Sequence, residues 1–348
     1  MTARLFPRRR VVVALAVSIL ALGGLTACGG DETADTTATG GGNSSRTLKV
    51  GYISGTSLAP AFVADAMGCY KNEGLTVEFQ PIRNPADAIA FLASDKIDVY
   101  VGSPSAGMFN QVAKGAELKM VASLGSINTP EGEEAPSGLF GVKDVTSVAD
   151  LKGKRVAMLG SVGSATSYLL GRSLEAGGLT FADVELVSLG SSDMVPALKN
   201  KGVEGALLFA PETQKAVDQD IAHALTDSKQ AYGSDTTAGI MYGPKLLKED
   251  RDAGVRFLKA NACAVKRFEG DWRKDAEIVK MLADFMKVPE NTISGGGLYA
   301  FDASLAVNDK TLTQMQEMFM RVEGILTYPE ILPVDRLMDD GIRAEAVG

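Results

Sequence analysis

The chain has 348 residues, 35 Lys plus Arg against 43 Asp plus Glu, one histidine, three cysteines and a formal charge of −8. That acidic balance argues against nucleic acid as a partner, and one histidine with no Cys-x-x-Cys leaves too few ligands for a zinc centre, so neither a metal nor a cofactor is expected. A small anionic ligand stays compatible, because a local site can oppose the global charge, and the length suits one large domain or two lobes.

Arg4, Arg8, Arg9 and Arg10 precede an apolar run at 11–22, and Leu25-Thr-Ala-Cys28 follows. A basic start, a short apolar stretch and small residues before a cleavage point predict a secretory signal over 1–27. The run is shorter than the ~18 residues of a membrane-spanning helix. Its arginines also permit twin-arginine export. Leu-Thr-Ala-Cys resembles a lipoprotein lipobox, which implies lipid on Cys28 and a membrane anchor. Loss of the four signal arginines, with no acid before Cys28, takes the formal charge from −8 to −12. Residues 28–46 are rich in Gly, Thr, Ser and Asp and read as a flexible tether.

The body begins with a strand at 48–53, a Gly/Ser/Thr/Pro loop at 54–60 and a helix at 61–70. Gly74-Leu75 leads into a strand at 76–80. Asn84-Pro85 starts a helix that ends near Ser94, and 97–101 is a third strand. The order then returns: strand 154–159, loop "GSVGSATS" at 160–167, helix 168–176, strand 184–187, helix 193–201, strand 205–209. Overlaid, Val50 falls on Val156, Asp87 on Asp193, Leu92 on Leu198 and Val101 on Leu207. Alternating strands and helices predict parallel pairing in an α/β fold, here two βαβαβ lobes around a hinge cleft. The return to the first lobe is expected near 239–243. Ile278, Val279, Leu282, Phe285 and Met286 predict a helix over 276–286, and the Met-rich 311–322 reads as helical core. Gly295-Gly-Gly297 reads as a flexible turn. The expected division is 47–136 and 237–348 for lobe 1 with the C-terminal helices, and 137–236 for lobe 2.

Ligands of open α/β sheets sit beyond the carboxyl ends of the strands. The loops at 54–57, 102–105, 160–167, 190–193 and 210–213 all fall on that edge. A helix start supplies unpaired N–H groups and partial positive charge, so it holds anions without a lysine. Glycine lets the ligand approach the backbone, and hydroxyls add hydrogen bonds.

Asp150-Leu-Lys-Gly-Lys-Arg-Val156, "GSVGSATSYLL", Ala176-Gly-Gly-Leu-Thr180 and Gly68-Cys-Tyr-Lys-Asn-Glu-Gly-Leu-Thr-Val77 resemble solute-binding proteins for taurine, nitrate and aliphatic sulfonates. Related members bind pyrimidine precursors of thiamine. The resemblance implies a type II periplasmic-binding fold, with capture of a small solute and delivery to an ABC permease and its ATPase. It implies ligand contacts from Ser57, Ser103, Ser161, Ser164 and Thr166. Asp193, Pro211, Glu212 and Tyr242 are further candidates, and Tyr52, Tyr100, Phe140 and Tyr242 offer stacking surfaces. Ala210-Pro-Glu212 departs from the aromatic-acidic-proline segment of the sulfonate binders. Cys69 and Cys263 form one disulfide or stay as two buried thiols. An enzyme would need a base near a serine, and His223 stands alone without a Gly-x-Ser-x-Gly elbow. The expectation is an exported, monomeric binding protein; an exported sensor that keeps the fold is the alternative.

Overall fold

In the computed structural model, residues 46–83, 85–127 and 135–348 are described. The expected signal, the Cys28 lipidation site and the tether lie outside these residues, apart from Arg46, which opens a strand. The ten strands of the described residues are β1 (Arg46–Tyr52), β2 (Leu75–Pro81), β3 (Val99–Gly102), β4 (Lys119–Ser123), β5 (Ser137–Val142), β6 (Arg155–Met158), β7 (Glu185–Ser188), β8 (Gly205–Phe209), β9 (Ala222–Ala224) and β10 (Gly239–Tyr242). In β1, Leu48 and Val50 are buried while Thr47 and Lys49 stay exposed. The central strand β3 is buried throughout, the pattern of a strand covered on both faces.

Two five-stranded sheets result, ordered β2-β1-β3-β10-β4 and β7-β6-β8-β5-β9. In each, the first three strands are parallel and the fourth is antiparallel to the third. The fourth strand of each sheet comes from the crossing chain: β5 opens the second sheet after β4, and β10 returns to the first. The repeat extends to register. Val50 pairs with Val99 and Gly51 with Tyr100; at the same offset, Val156 pairs with Gly205 and Ala157 with Ala206. The helices Pro85–Ala93 and Ser191–Lys199 carry Asp87 and Asp193 at equivalent positions.

Several elements differ from expectation for local reasons. The helix expected at 61–70 is broken into Ala59–Ala66 and Cys69–Asn72 by Gly68, whose φ of +71° is left-handed, a conformation that glycine adopts without a Cβ penalty. β4, β5, β9 and the helix Ala106–Ala113 were not anticipated. β5 reads SGLFGV with five of its six residues buried, so it shows no polar alternation.

The C-terminal helices are Arg251–Val265, Ala276–Met286, Asp309–Met320 and Asp340–Val347. Ala276–Met286 matches its expected span and buries Ile278, Val279, Leu282 and Ala283. Asp309–Met320 buries Leu312, Met315, Met318 and Phe319 in one cluster with Phe109 and Tyr168. It thereby joins residues from the flanks of both sheets. Cys69 and Cys263 form a disulfide that ties Cys69–Asn72 to Arg251–Val265.

Candidate functional site

The carboxyl ends of the parallel strands in both sheets converge on one cavity of about 120 Å³. Ser57 follows β1, Ser103 follows β3 and Phe209 ends β8. Ser137 and Ala238 stand at the matching ends of the antiparallel strands, with Thr237 beside Ala238. Ala165, Thr166 and Leu169 belong to the helix Ala165–Glu175 that follows β6, and Tyr299 comes from the C-terminal segment.

The helix start in "GSVGSATS" is built from its own side chains. Ser164 is the N-cap: its Oγ accepts the Ser167 N–H at 3.2 Å and donates to the Ser161 carbonyl at 2.8 Å. Thr166 Oγ1 donates to the Leu159 carbonyl at 2.7 Å and lies 2.8 Å from Ser164 Oγ. Gly160 and Gly163 have φ of +78° and +97°, which the tight loop requires of glycine. The first N–H groups of any helix lack intrahelical acceptors. Those of Ala165 and Thr166 find none elsewhere among the described residues, and both residues line the cavity. The opposite wall carries the hydroxyls of Ser57, Ser103, Thr237 and Tyr299, none with a partner among the described residues. Ser137 Oγ leans on the buried Tyr232 hydroxyl at 3.4 Å. Free donors thus face the cavity from both lobes, and the N-terminal end of the helix dipole adds positive potential.

The cavity is closed by direct contact across the lobes. The Ala106 N–H, at the start of the helix Ala106–Ala113, donates to the Gly163 carbonyl at 2.8 Å. Behind it, Tyr168 Oη lies 2.8 Å from Asp235 Oδ2 and 2.9 Å from Gln314 Oε1, linking lobe 2, the return crossing and the C-terminal helix. Burial raises the Asp235 carboxyl above its ordinary value, against the lowering effects of Tyr168 and Arg172.

Of the residues singled out from sequence, the structure brings Ser57, Ser103 and Thr166 to this cavity. The others are placed elsewhere. Ser161 is exposed and offers its carbonyl to Ser164, whose hydroxyl is consumed by capping. Asp193 is exposed in the first turn of its helix, and Pro211 is exposed. Glu212 is buried with Oε1 on Lys215 Nζ at 2.9 Å, outside the cavity lining. Tyr242 is fully buried in the core of the first sheet, its hydroxyl donating to the Gly254 carbonyl at 2.8 Å. Tyr100 is fully buried behind Gly102, with burial pushing its phenol up to about 12. Sequence reasoning missed Ser137, Phe209, Thr237 and Tyr299. Position at the carboxyl end of a strand could have flagged Phe209; nothing in the chain marked Tyr299.

A larger groove of about 680 Å³ lies on the flank of lobe 2, lined by Ser147, Arg172, Glu175, Thr226 and Gln230 among others. It meets the carboxyl end of the helix Ala165–Glu175, where the dipole is negative, and involves one lobe. Thr226 Oγ1 in that groove also lacks a hydrogen-bond partner, but the smaller cavity has donors from both lobes and both strand edges, so it is the candidate site.

Two sheets of this topology, facing each other across a donor-lined cavity with helices closing the chain, define a bilobed periplasmic-binding fold. The chain belongs to the NMT1/THI5-like family, whose model matches residues 55–268. A 4-amino-5-hydroxymethyl-2-methylpyrimidine phosphate synthase of Schizosaccharomyces pombe is 28% identical over 150 residues, 42% of this chain and 40% of that protein, so the match spans less than half of that relative's length. The riboflavin-binding protein RibY of Chloroflexus aurantiacus is 26% identical over 316 residues, covering 81% of this chain and 82% of that one. Among solved structures, the alkanesulfonate-binding protein SsuA from Xanthomonas axonopodis pv. citri, bound to MOPS, superposes with a TM-score of 0.61 at 16% identity, over 84% of this chain and 97% of that chain. This likeness establishes the shared fold.

Proposed function

We propose that the protein is the extracytoplasmic solute-binding component of an ABC importer. Exported and anchored through lipid on Cys28, it captures a small solute with a sulfonate, nitrate, carboxylate or similar acceptor group and presents it to a permease and its ATPase. The observation that carries this reading is the convergence of the free Ala165 and Thr166 N–H groups with the Ser57, Ser103 and Thr237 hydroxyls on one interlobe cavity. Such donors bind oxygen acceptors without a cationic side chain. The Cys69–Cys263 disulfide supports an oxidising exterior. A monomer suffices, since one chain supplies both walls.

Turnover finds little support. A serine nucleophile needs a base within hydrogen-bond reach. His223 is exposed on β9, opposite Gly141 of β5, and does not line the cavity.

Size sharpens the ligand. At about 120 Å³ the cavity is well below the ~300 Å³ at which pockets for drug-sized molecules begin. A solute of few heavy atoms fits the closed form; a tricyclic flavin would require it to open. A neutral pyrimidine is the second reading, favoured by the Phe209 and Tyr299 rings on the lining, which offer flat apolar surface.

A thermal-shift screen of ethanesulfonate, taurine, nitrate, short carboxylates and a hydroxymethylpyrimidine tests both. Ligand at 100 times Kd stabilises by about 2.7 kcal/mol, a rise of several degrees in Tm. At least one acceptor-bearing anion is expected to give it. Stabilisation by the pyrimidine alone would select the second reading; no stabilisation by any solute would reject the binding role proposed here.

A further inference from the structure

The Gly295-Gly-Gly297 turn has a role that its sequence does not announce. Gly297 packs against Pro136 and Ala210, so an added Cβ would sit 2.9 Å from Pro136 Cα and 3.3 Å from Ala210 Cβ. The turn therefore runs closely over the place where β8 ends and β5 begins. The turn and the segment beyond it are pinned at three points. Trp272 Nε1 donates to the Tyr299 carbonyl at 2.9 Å, Arg273 Nη1 to the Gly296 carbonyl at 3.1 Å, and Ala300 exchanges two backbone hydrogen bonds of 2.9 Å with Ser126. The backbone on both sides of Tyr299 is fixed, while its side chain forms part of the cavity lining.

The Tyr299 hydroxyl has no partner among the described residues. Burial raises its phenol well above the ordinary value, and the nearby Tyr232 adds to this, so the group stays a protonated donor. The hydroxyl is not among the sealed, unpartnered polar atoms of the described residues, so an acceptor on a ligand in the cavity can reach it. The aromatic ring is large beside a cavity of about 120 Å³, so it also bounds the space left for the ligand.

Resting on the solute-binding reading above, we propose that Tyr299 is a specificity-determining residue of the cleft: its hydroxyl donates a hydrogen bond to the bound solute, and its ring sets the largest solute admitted. The Gly295–297 turn and Trp272 are positioning elements, because they hold Tyr299 without facing the ligand. Neither lobe's strand edge supplies this residue, so the C-terminal segment contributes directly to recognition.

Isothermal titration of the full mature chain with ethanesulfonate and with benzenesulfonate tests this. Wild type is expected to bind ethanesulfonate more tightly than benzenesulfonate. Tyr299→Phe keeps the ring and removes the donor; it is expected to lose about 5–20-fold in ethanesulfonate affinity at unchanged Tm. Tyr299→Ala is expected to narrow or invert the preference between the two sulfonates, and that ratio would not move if the ring were merely structural. Should Tyr299→Ala fail to fold, Tyr299→Leu provides the same comparison of size preference. Wild-type binding with no change in affinity for the phenylalanine variant and no change in ratio for the smaller ones overturns this proposal alone. Wild type that binds neither sulfonate overturns the anion reading and this proposal together.

Discussion

Ser164 and Ser57 illustrate how two serines in similar loops come to differ. Ser164 spends its hydroxyl on the Ser167 N–H and the Ser161 carbonyl. Ser57 keeps its hydroxyl free and faces the cavity. Ser164→Ala is therefore expected to cost about 1 kcal/mol of stability through the lost cap, lowering Tm in the absence of ligand. Ser57→Ala or Ser103→Ala is expected to leave Tm within a degree or two and to weaken solute binding about tenfold or more, one lost hydrogen bond to a charged acceptor. Calorimetry with and without the solute separates the two effects. The sequence made the loop at 160–167 legible as a donor-rich helix start, since glycines and hydroxyls cluster there. It did not show which hydroxyl caps the helix and which faces the ligand. That division depends on the turn geometry set by Gly160 and Gly163, which periodicity does not carry.

At the scale of elements, the constant offset between the halves was readable because each strand and helix keeps its partner's position: Val50 with Val156, Asp87 with Asp193, Val101 with Leu207. Of the antiparallel strands, the return at 239–243 was marked as a crossing, but β5 and the pairing of both were not readable. β5 and β10 enter each sheet from the other lobe, so their pairing partners are remote in sequence, and their uniform burial hides any alternation. Tyr299 was missed for the same reason, since a C-terminal segment that returns to the cleft leaves no local signature. The helix Asp309–Met320 is joined to lobe 2 by Gln314 and Tyr168, beside Asp235 and Arg172, with Arg321 and Glu175 pairing at its end. Because burial raises the Asp235 pKa, the folded protein holds this proton more tightly than the unfolded chain. This site's contribution to stability is thus most favourable below the ordinary value of 3.8 and falls as pH rises through the raised folded value. Asp235→Asn, which can still accept from Tyr168, is expected to remove that slope from the pH dependence of Tm. A slope unchanged by the substitution would show that Asp235 is not its source. Asp271 has the opposite sign: Arg273, followed by Lys274, lowers it to about 2. Its contribution is present above 3.8 and is lost as pH falls towards about 2.

For the whole molecule, the contact between Ala106 and Gly163 closes the cleft. An added Cβ at Gly163 would sit 3.0 Å from Ala106 Cβ and 3.2 Å from Ile325 Cγ2, at a φ of +97° that side chains rarely adopt. Gly163→Ala is expected to destabilise the closed form by about 1–3 kcal/mol. It should weaken solute binding while leaving the lobes folded, read as a smaller ligand-induced contraction in small-angle scattering. The disulfide acts elsewhere, joining Cys69 in the core of the first lobe to the exposed Cys263 on the helix Arg251–Val265. Replacing Cys69 and Cys263 together by alanine is expected to cost about 2–4 kcal/mol of stability without changing solute affinity.

The central claim is that a small acceptor-bearing solute sits between the lobes at the start of the helix Ala165–Glu175. A crystal structure of the mature protein grown with ethanesulfonate tests it most directly. The sulfonate oxygens are expected about 3 Å from the Ala165 and Thr166 amide nitrogens, with the Ser57 and Ser103 hydroxyls completing the shell. A sulfonate bound instead in the Arg172 groove of lobe 2, with the interlobe cavity holding none, would contradict the account.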